Sequence, residues 1–199
     1  MVKYVMTTVL VCFFSGCASN AVQNSPTTKP MNKPGGTESA HQTSACLGTV
    51  TIAPQFADHF SSIEDESLLN QALGEPNAGK LCQGRVYQSK ADSHVVIYRA
   101  WNSTNPNSEK GQWWAFYKPK GLVSQYRSDY EICYQWSPLM VRCRLNAGAK
   151  VVIGTGQSAE CSPYLRYSKS AKQQIYIDNA SASVSDCTTY DGAFRWKRE

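Results

Sequence analysis

Six cysteines spread over residues 46–187, with no Cys-x-x-Cys pair among them, constrain this chain more than any other feature. Cys46, Cys82, Cys133, Cys143, Cys161 and Cys187 are an even set without metal-ligand spacing. In an oxidising compartment such a set reads as three disulfides and no metal site. Each bridge would add about 2–4 kcal/mol. One pairing joins Cys133 to Cys143 across a short loop and Cys161 to Cys187 across a longer one, leaving Cys46 for Cys82. Other pairings stay open, because spacing alone does not decide connectivity.

The compartment is read from the first residues. Lys3 gives a positive start, and Tyr4 to Phe14 is an apolar run too short to span a bilayer but suited to a signal peptide. Ser15-Gly16-Cys17 follows. This segment resembles the lipobox of bacterial lipoproteins, with Phe14 standing where leucine is usual. The resemblance implies cleavage after residue 16, diacylglycerol on Cys17 and a membrane anchor, since two or three acyl chains hold firmly where one is marginal. Ala18, in place of the aspartate that retains such proteins in the inner membrane, implies outer-membrane sorting. The expected location is the cell envelope, facing the periplasm or the cell surface. Residues 17–45 are rich in Ser, Thr, Asn, Gln, Pro and Gly and read as a flexible tether.

Residues 46–199 then form one domain. Setting aside Lys3, Lys29, Lys33 and Glu38, the net charge of +5 falls to +3. Lys118, Lys120, Arg127, Arg142 and Arg144 interleave with aromatic residues, but so small a net charge argues against a nucleic-acid partner. The spacing predicts a helix opening at Ser61 as cap, with Glu64 three residues on and Leu68, Leu69, Ala72 and Leu73 on one face. Strands are expected at 84–87 and 94–101, a polar loop at 102–111 and a helix over 122–136. Further strands are expected at 140–145, 150–154 and 173–177. Gly154-Thr155-Gly156 reads as a tight turn. The order is helix first and then mainly antiparallel strands, so the expected class is α+β.

Familiar catalytic motifs are missing. His59 and His94 are the domain's histidines and stand far apart, with no cluster of metal-ligand spacing. There is neither a G-x-S-x-G elbow nor a Walker lysine loop. Two features stand out instead. Arg99 sits inside the apolar strand Val96 to Trp101, where alternation would place it on a solvent face. Trp113, Trp114, Phe116 and Tyr117 crowd one short segment, where alternation would bury two and expose two. Exposed aromatics beside an arginine suit a planar ring carrying a phosphate.

The order of these pieces is similar to that in ADP-ribosyltransferase-like toxins and necrotizing-toxin-type NAD glycohydrolases. The matching pieces are Tyr98-Arg99, Gly111 to Pro119, Tyr126-Arg127, Val141 to Gly156 and Gln173 to Ile177. The resemblance implies NAD as substrate, with no prosthetic group. It implies Arg99 at the pyrophosphate and Trp113 and Trp114 around the nicotinamide. Tyr98 and Arg127 would assist in binding, and Gln174 or Gln173 would support the oxocarbenium-like centre. The strand lacks a glutamate, and Ser168-Lys169-Ser170 stands where a glycine-rich run is usual. The alternative is a non-catalytic periplasmic or surface lipoprotein that binds a protein or envelope partner through the aromatic segment. An enzyme requires Arg99, Trp113-Trp114 and Gln174 in one cleft; a binding module requires only the aromatics on an open face.

Overall fold

Residue Val152 lies at the centre of the fold, buried on a strand whose two faces both pack against apolar layers. The computed structural model describes residues 45–133, 138–191 and 193–195. The signal segment, Cys17 and nearly all of the tether lie outside the described residues. In chain order the elements are α1 (Pro54–Ala57), β1 (Phe60–Ser62), α2 (Glu66–Ala72), β2 (Leu81–Ser89), β3 (Val96–Asn102), β4 (Trp113–Trp114), β5 (Lys120–Leu122) and α3 (Val123–Asp129). They continue with β6 (Pro138–Leu145), β7 (Lys150–Gly156), β8 (Ala159–Ser162), β9 (Leu165–Tyr167), β10 (Gln173–Tyr176), α4 (Ala180–Ser183), β11 (Val184–Asp191) and β12 (Ala193–Arg195). The domain is sheet-rich, mainly antiparallel and stapled by three disulfides. Its helices are few and short, so the helical share is smaller than an α+β reading expects. None of the described helices is long and apolar enough to cross a membrane.

Two sheets carry the structure. One runs β1-β2-β7-β10-β4 and the other β11-β6-β3. Strand β7 sends Val151 and Ile153 into the main core, where they pack with Ile175 and Ile177 against Ile97, Trp101, Val141, Cys143 and Leu145 of the second sheet. Its other face sends Val152 under α2, onto Leu68 and Ala72. A third cluster, Ala100 and Met140 under Val123 and Tyr126, seats α3 on the outside of the smaller sheet. A backbone bridge also ties the smaller sheet to the chain just after β4, where Tyr98 and Ala115 exchange two hydrogen bonds of 2.8 Å.

Several expectations change. Ser61 is not a helix cap; it lies in β1, paired with Gln88. Asp65 caps the helix instead, accepting from the Leu68 amide at 3.1 Å, an arrangement that places Glu66 in the first turn. The helix expected over 122–136 is α3, which ends at Asp129 and leaves Cys133 beyond it. Strands β6 and β7 are joined at Asn146-Ala147-Gly148 but belong to different sheets. Gly154 and Gly156 are not a turn. Both lie within β7, and Gly154 is opposite Gly84, where a Cβ would overlap the Gln83 carbonyl oxygen.

The disulfides are Cys46–Cys82, Cys133–Cys161 and Cys143–Cys187. The first is as expected, while the other two exchange partners. Cys143 points into the core from β6. The neighbouring strand β11 bulges between Ser185 and Thr188, which sets Cys187 beside it. Cys133, past the end of α3, meets β8 instead.

Candidate functional site

The segment that closes α3 positions a carboxyl that local sequence does not flag. Tyr130 ends the helix, and Glu131 follows in the left-handed region at φ +47°. The Ile132 amide reaches back to the Arg127 carbonyl at 2.9 Å, closing the helix in the manner of a Schellman motif. Glycine usually takes this position, because a side chain there costs roughly 1–2 kcal/mol. Arg127 braces the turn by donating to the carbonyls of Ile132 and Cys133, both at 3.1 Å. The Cys133–Cys161 bond ties the same segment to β8.

The Glu131 side chain lies over Gly156, where a Cβ would overlap both carboxylate oxygens. Gln174 donates from Nε2 to Glu131 Oε2 at 2.6 Å. Oε1 has no hydrogen-bond partner among the described residues, and the residue is only 8% exposed. Burial pushes the Glu131 carboxyl up to about 8; the Gln174 hydrogen bond opposes that shift and Asp129 adds to it. Tyr126 of α3 is buried and its hydroxyl is pushed up to about 12 by burial, while its bond to the Ala100 backbone opposes the shift.

Glu131 and Gln174 line a cavity of about 660 Å³ together with Arg99, Trp101, Trp113 and Trp114. Arg99 does not face solvent. It shares the side of β3 that carries Ile97 and Trp101. Its Nε donates to the Ser108 carbonyl and its Nη1 to the Trp113 carbonyl, both at 2.8 Å. Those bonds pin the loop 102–112 against β4, and Gly111 leaves room for the guanidinium. Desolvation draws the Arg99 pKa down, and Tyr126 acts in the other direction.

The aromatic segment divides differently from simple alternation. Trp114 and Phe116 are buried and Tyr117 is 56% exposed. Trp113 is half-buried, 5.0 Å from the Tyr176 ring. Trp114 commits its indole N–H to the Gly111 carbonyl at 2.7 Å. Trp113 stands opposite Tyr176 in the β4–β10 pairing, and Gln174 is two residues along β10, so these three side chains share a face. The neighbouring Gln173 points away and donates to the carbonyls of Thr49 and Thr51 at 2.9 and 2.8 Å.

Of the residues singled out from sequence, Arg99, Trp113, Trp114 and Gln174 therefore meet at one cavity. Tyr98 and Arg127 are not part of its lining. Glu131 was missed; the one local hint is an acidic residue where a helix should end in glycine. Among the described residues, no three His, Cys, Asp or Glu side chains cluster as a metal site. Comparison of the chain with protein-family models, with curated proteins and with solved structures finds no match.

The buried carboxyl makes stability pH-dependent. Its folded pKa lies above the ordinary value of 4.5. The folded state therefore holds more protons than the unfolded state between those two pKa values, and stability falls as pH rises through that window. Expected is a loss on the order of a few kcal/mol between pH 5 and about pH 8.5. Glu131→Gln should flatten the profile. Urea unfolding of both proteins across that range checks it; parallel profiles would rule the explanation out.

Proposed function

We propose that this is an exported, lipid-anchored envelope protein whose cavity binds NAD and cleaves its nicotinamide–ribose bond. The observation that carries the reading is the convergence of Arg99, Trp113, Trp114 and Gln174 on one cavity of about 660 Å³, within the size range of small-molecule sites. In this reading Arg99, which lines the cavity, faces the pyrophosphate. Trp113 supplies a ring face. Gln174, oriented by Glu131, stabilises charge developing on the ribose as nicotinamide departs, and water or a protein side chain takes the ribosyl carbon. Anchoring through Cys17, with sorting to the outer membrane, belongs to the same proposal.

A second reading, a non-catalytic domain that binds a protein partner, is favoured by one specific observation. Arg99 and Trp114 spend polar groups on their own backbone, and the exposed aromatics Tyr117 and Tyr164 lie outside the cavity lining. Incubating the oxidised domain with NAD separates the two readings. Nicotinamide release by the parent, reduced at least about 100-fold in Gln174→Ala and Arg99→Ala, is the expected result. No release, with no NAD binding by calorimetry, would favour the partner-binding reading.

A further inference from the structure

The cavity holds two polar groups that the described residues leave unanswered. Among the described residues, Glu131 Oε1 and the Trp101 indole N–H are both buried without a hydrogen-bond partner, and both residues line the cavity at 8% exposure. Buried polar groups are nearly always satisfied, so such a pair marks a place where something else binds. The glutamate is also held at a backbone position that favours glycine, over a strand glycine that makes room for its carboxylate. Backbone strain kept in place by its surroundings gathers at ligand sites.

The charges lining the cavity suggest what binds. Arg99 lines it from β3 and Lys80 from the residue before β2. Glu131 enters from the end of α3, with Asp129 and the Tyr126 and Tyr130 hydroxyls on the same helix, while Gln174 from β10 is neutral. The lining thus carries an acid, a guanidinium and an ammonium, with indole rings beside them. We infer that Glu131 is the ligand-contacting carboxyl of this cavity. It selects a planar ring bearing positive charge, a pyridinium, and gives up its proton to solvent when that ring binds. The choice of ring rests on the dinucleotide reading above; the role of the carboxyl does not.

At pH 7 the carboxyl is mostly protonated in the empty cavity, and a cation beside it favours the ionised form by compensating the lost hydration. A pyridinium stacked on an indole supplies that compensation, and the uncharged ring of the same shape does not. The proton leaves Glu131 Oε1 for the buffer, no covalent bond to the ligand forms, and the ion pair remains. The anionic part of a dinucleotide would lie toward Arg99, so the site suits a ligand positive at one end and negative at the other.

The probes are 1-methylnicotinamide, a permanent cation, and neutral nicotinamide, each titrated calorimetrically into the full oxidised domain at pH 7 in buffers of different ionisation enthalpy. Expected are at least about tenfold tighter binding of the cation and release of nearly one proton, as a group titrating near 8 requires. In Glu131→Gln both should vanish, with the two rings bound within about twofold of each other. Equal binding of the two rings by the parent, no binding of either, absence of proton release, or a preference retained in Glu131→Gln would each overturn the inference. Should the variant fail to fold, the parent's buffer series alone decides. NAD cleavage is read separately. Cation preference without nicotinamide release from NAD removes the cleavage reading and keeps this one, and release without preference does the reverse.

Discussion

Replacing Cys143 and Cys187 together by alanine should lower stability by about 4 kcal/mol or more, the chain-entropy value for a bridge spanning 44 residues. For a domain of this size that corresponds to a fall in Tm of roughly 8–16 °C. The other two bridges span 28 and 36 residues and so constrain the unfolded chain almost equally. The difference lies on the folded side. Cys143 is buried in the main core among Ile97, Val141 and Leu145, and its removal leaves unfilled volume there as well. Cys46 is only partly buried and lies outside the three apolar clusters. Scanning calorimetry of the two double variants should therefore show the Cys143/Cys187 pair losing more than the Cys46/Cys82 pair. Equal losses would mean that the core contribution is absent.

Gly154→Ala should be nearly as damaging as that double replacement. Its Cβ would overlap the Gln83 carbonyl oxygen and approach Gly84, both of them backbone. A backbone atom cannot rotate away as a side chain does, so β2 and β7 must separate where they pair. The cost expected is about 3 kcal/mol, the upper part of the range for overpacking, or a Tm lower by roughly 6–12 °C. Gly156→Ala tests a different contact, since its overlap is with the movable Glu131 carboxylate. That variant should lose less stability while displacing the carboxyl from the cavity. If thermal denaturation shows Gly154→Ala unchanged, the close approach of β2 to β7 is wrong.

How far these features can be read from sequence varies with their range. The strands around Val96, Lys150 and Gln173 are legible because β-branched and aromatic residues crowd there, and a strand buried on both faces, such as β7, is apolar at nearly every position. The cap at Ser61 misleads because Ser-x-x-Glu is a local pattern, whereas Phe60 is drawn into the core, and its strand pairs with β2. Arg99 looks like a solvent-side residue until the loop 102–112 folds over it and offers the Ser108 carbonyl, with the Trp113 carbonyl of β4 beside it. Glu131 could not be found by spacing. Its partner Gln174 is 43 residues away, and the glycine that makes room for it lies on a third segment. Its environment exists only once the sheet has formed. Gln174 is reached from sequence only through the resemblance, as an alternative to Gln173, and the Glu131 contact that holds it is not legible there.

The disulfide loops have a topological consequence. The loop closed by Cys46–Cys82 stands alone, but Cys133–Cys161 and Cys143–Cys187 interleave, each enclosing one cysteine of the other. Cys133 and Cys143, ten residues apart, are the closest of the six in sequence, and they are not native partners. Of the interleaved four, Cys133 and Cys143 offer the shortest closure, and a bond between them blocks both native bonds at once. Thiol–disulfide exchange must then undo it, at rates set by oxidant and isomerase. Proofreading of covalent pairing, beyond mere oxidation, is thus written into the order of this domain's strands.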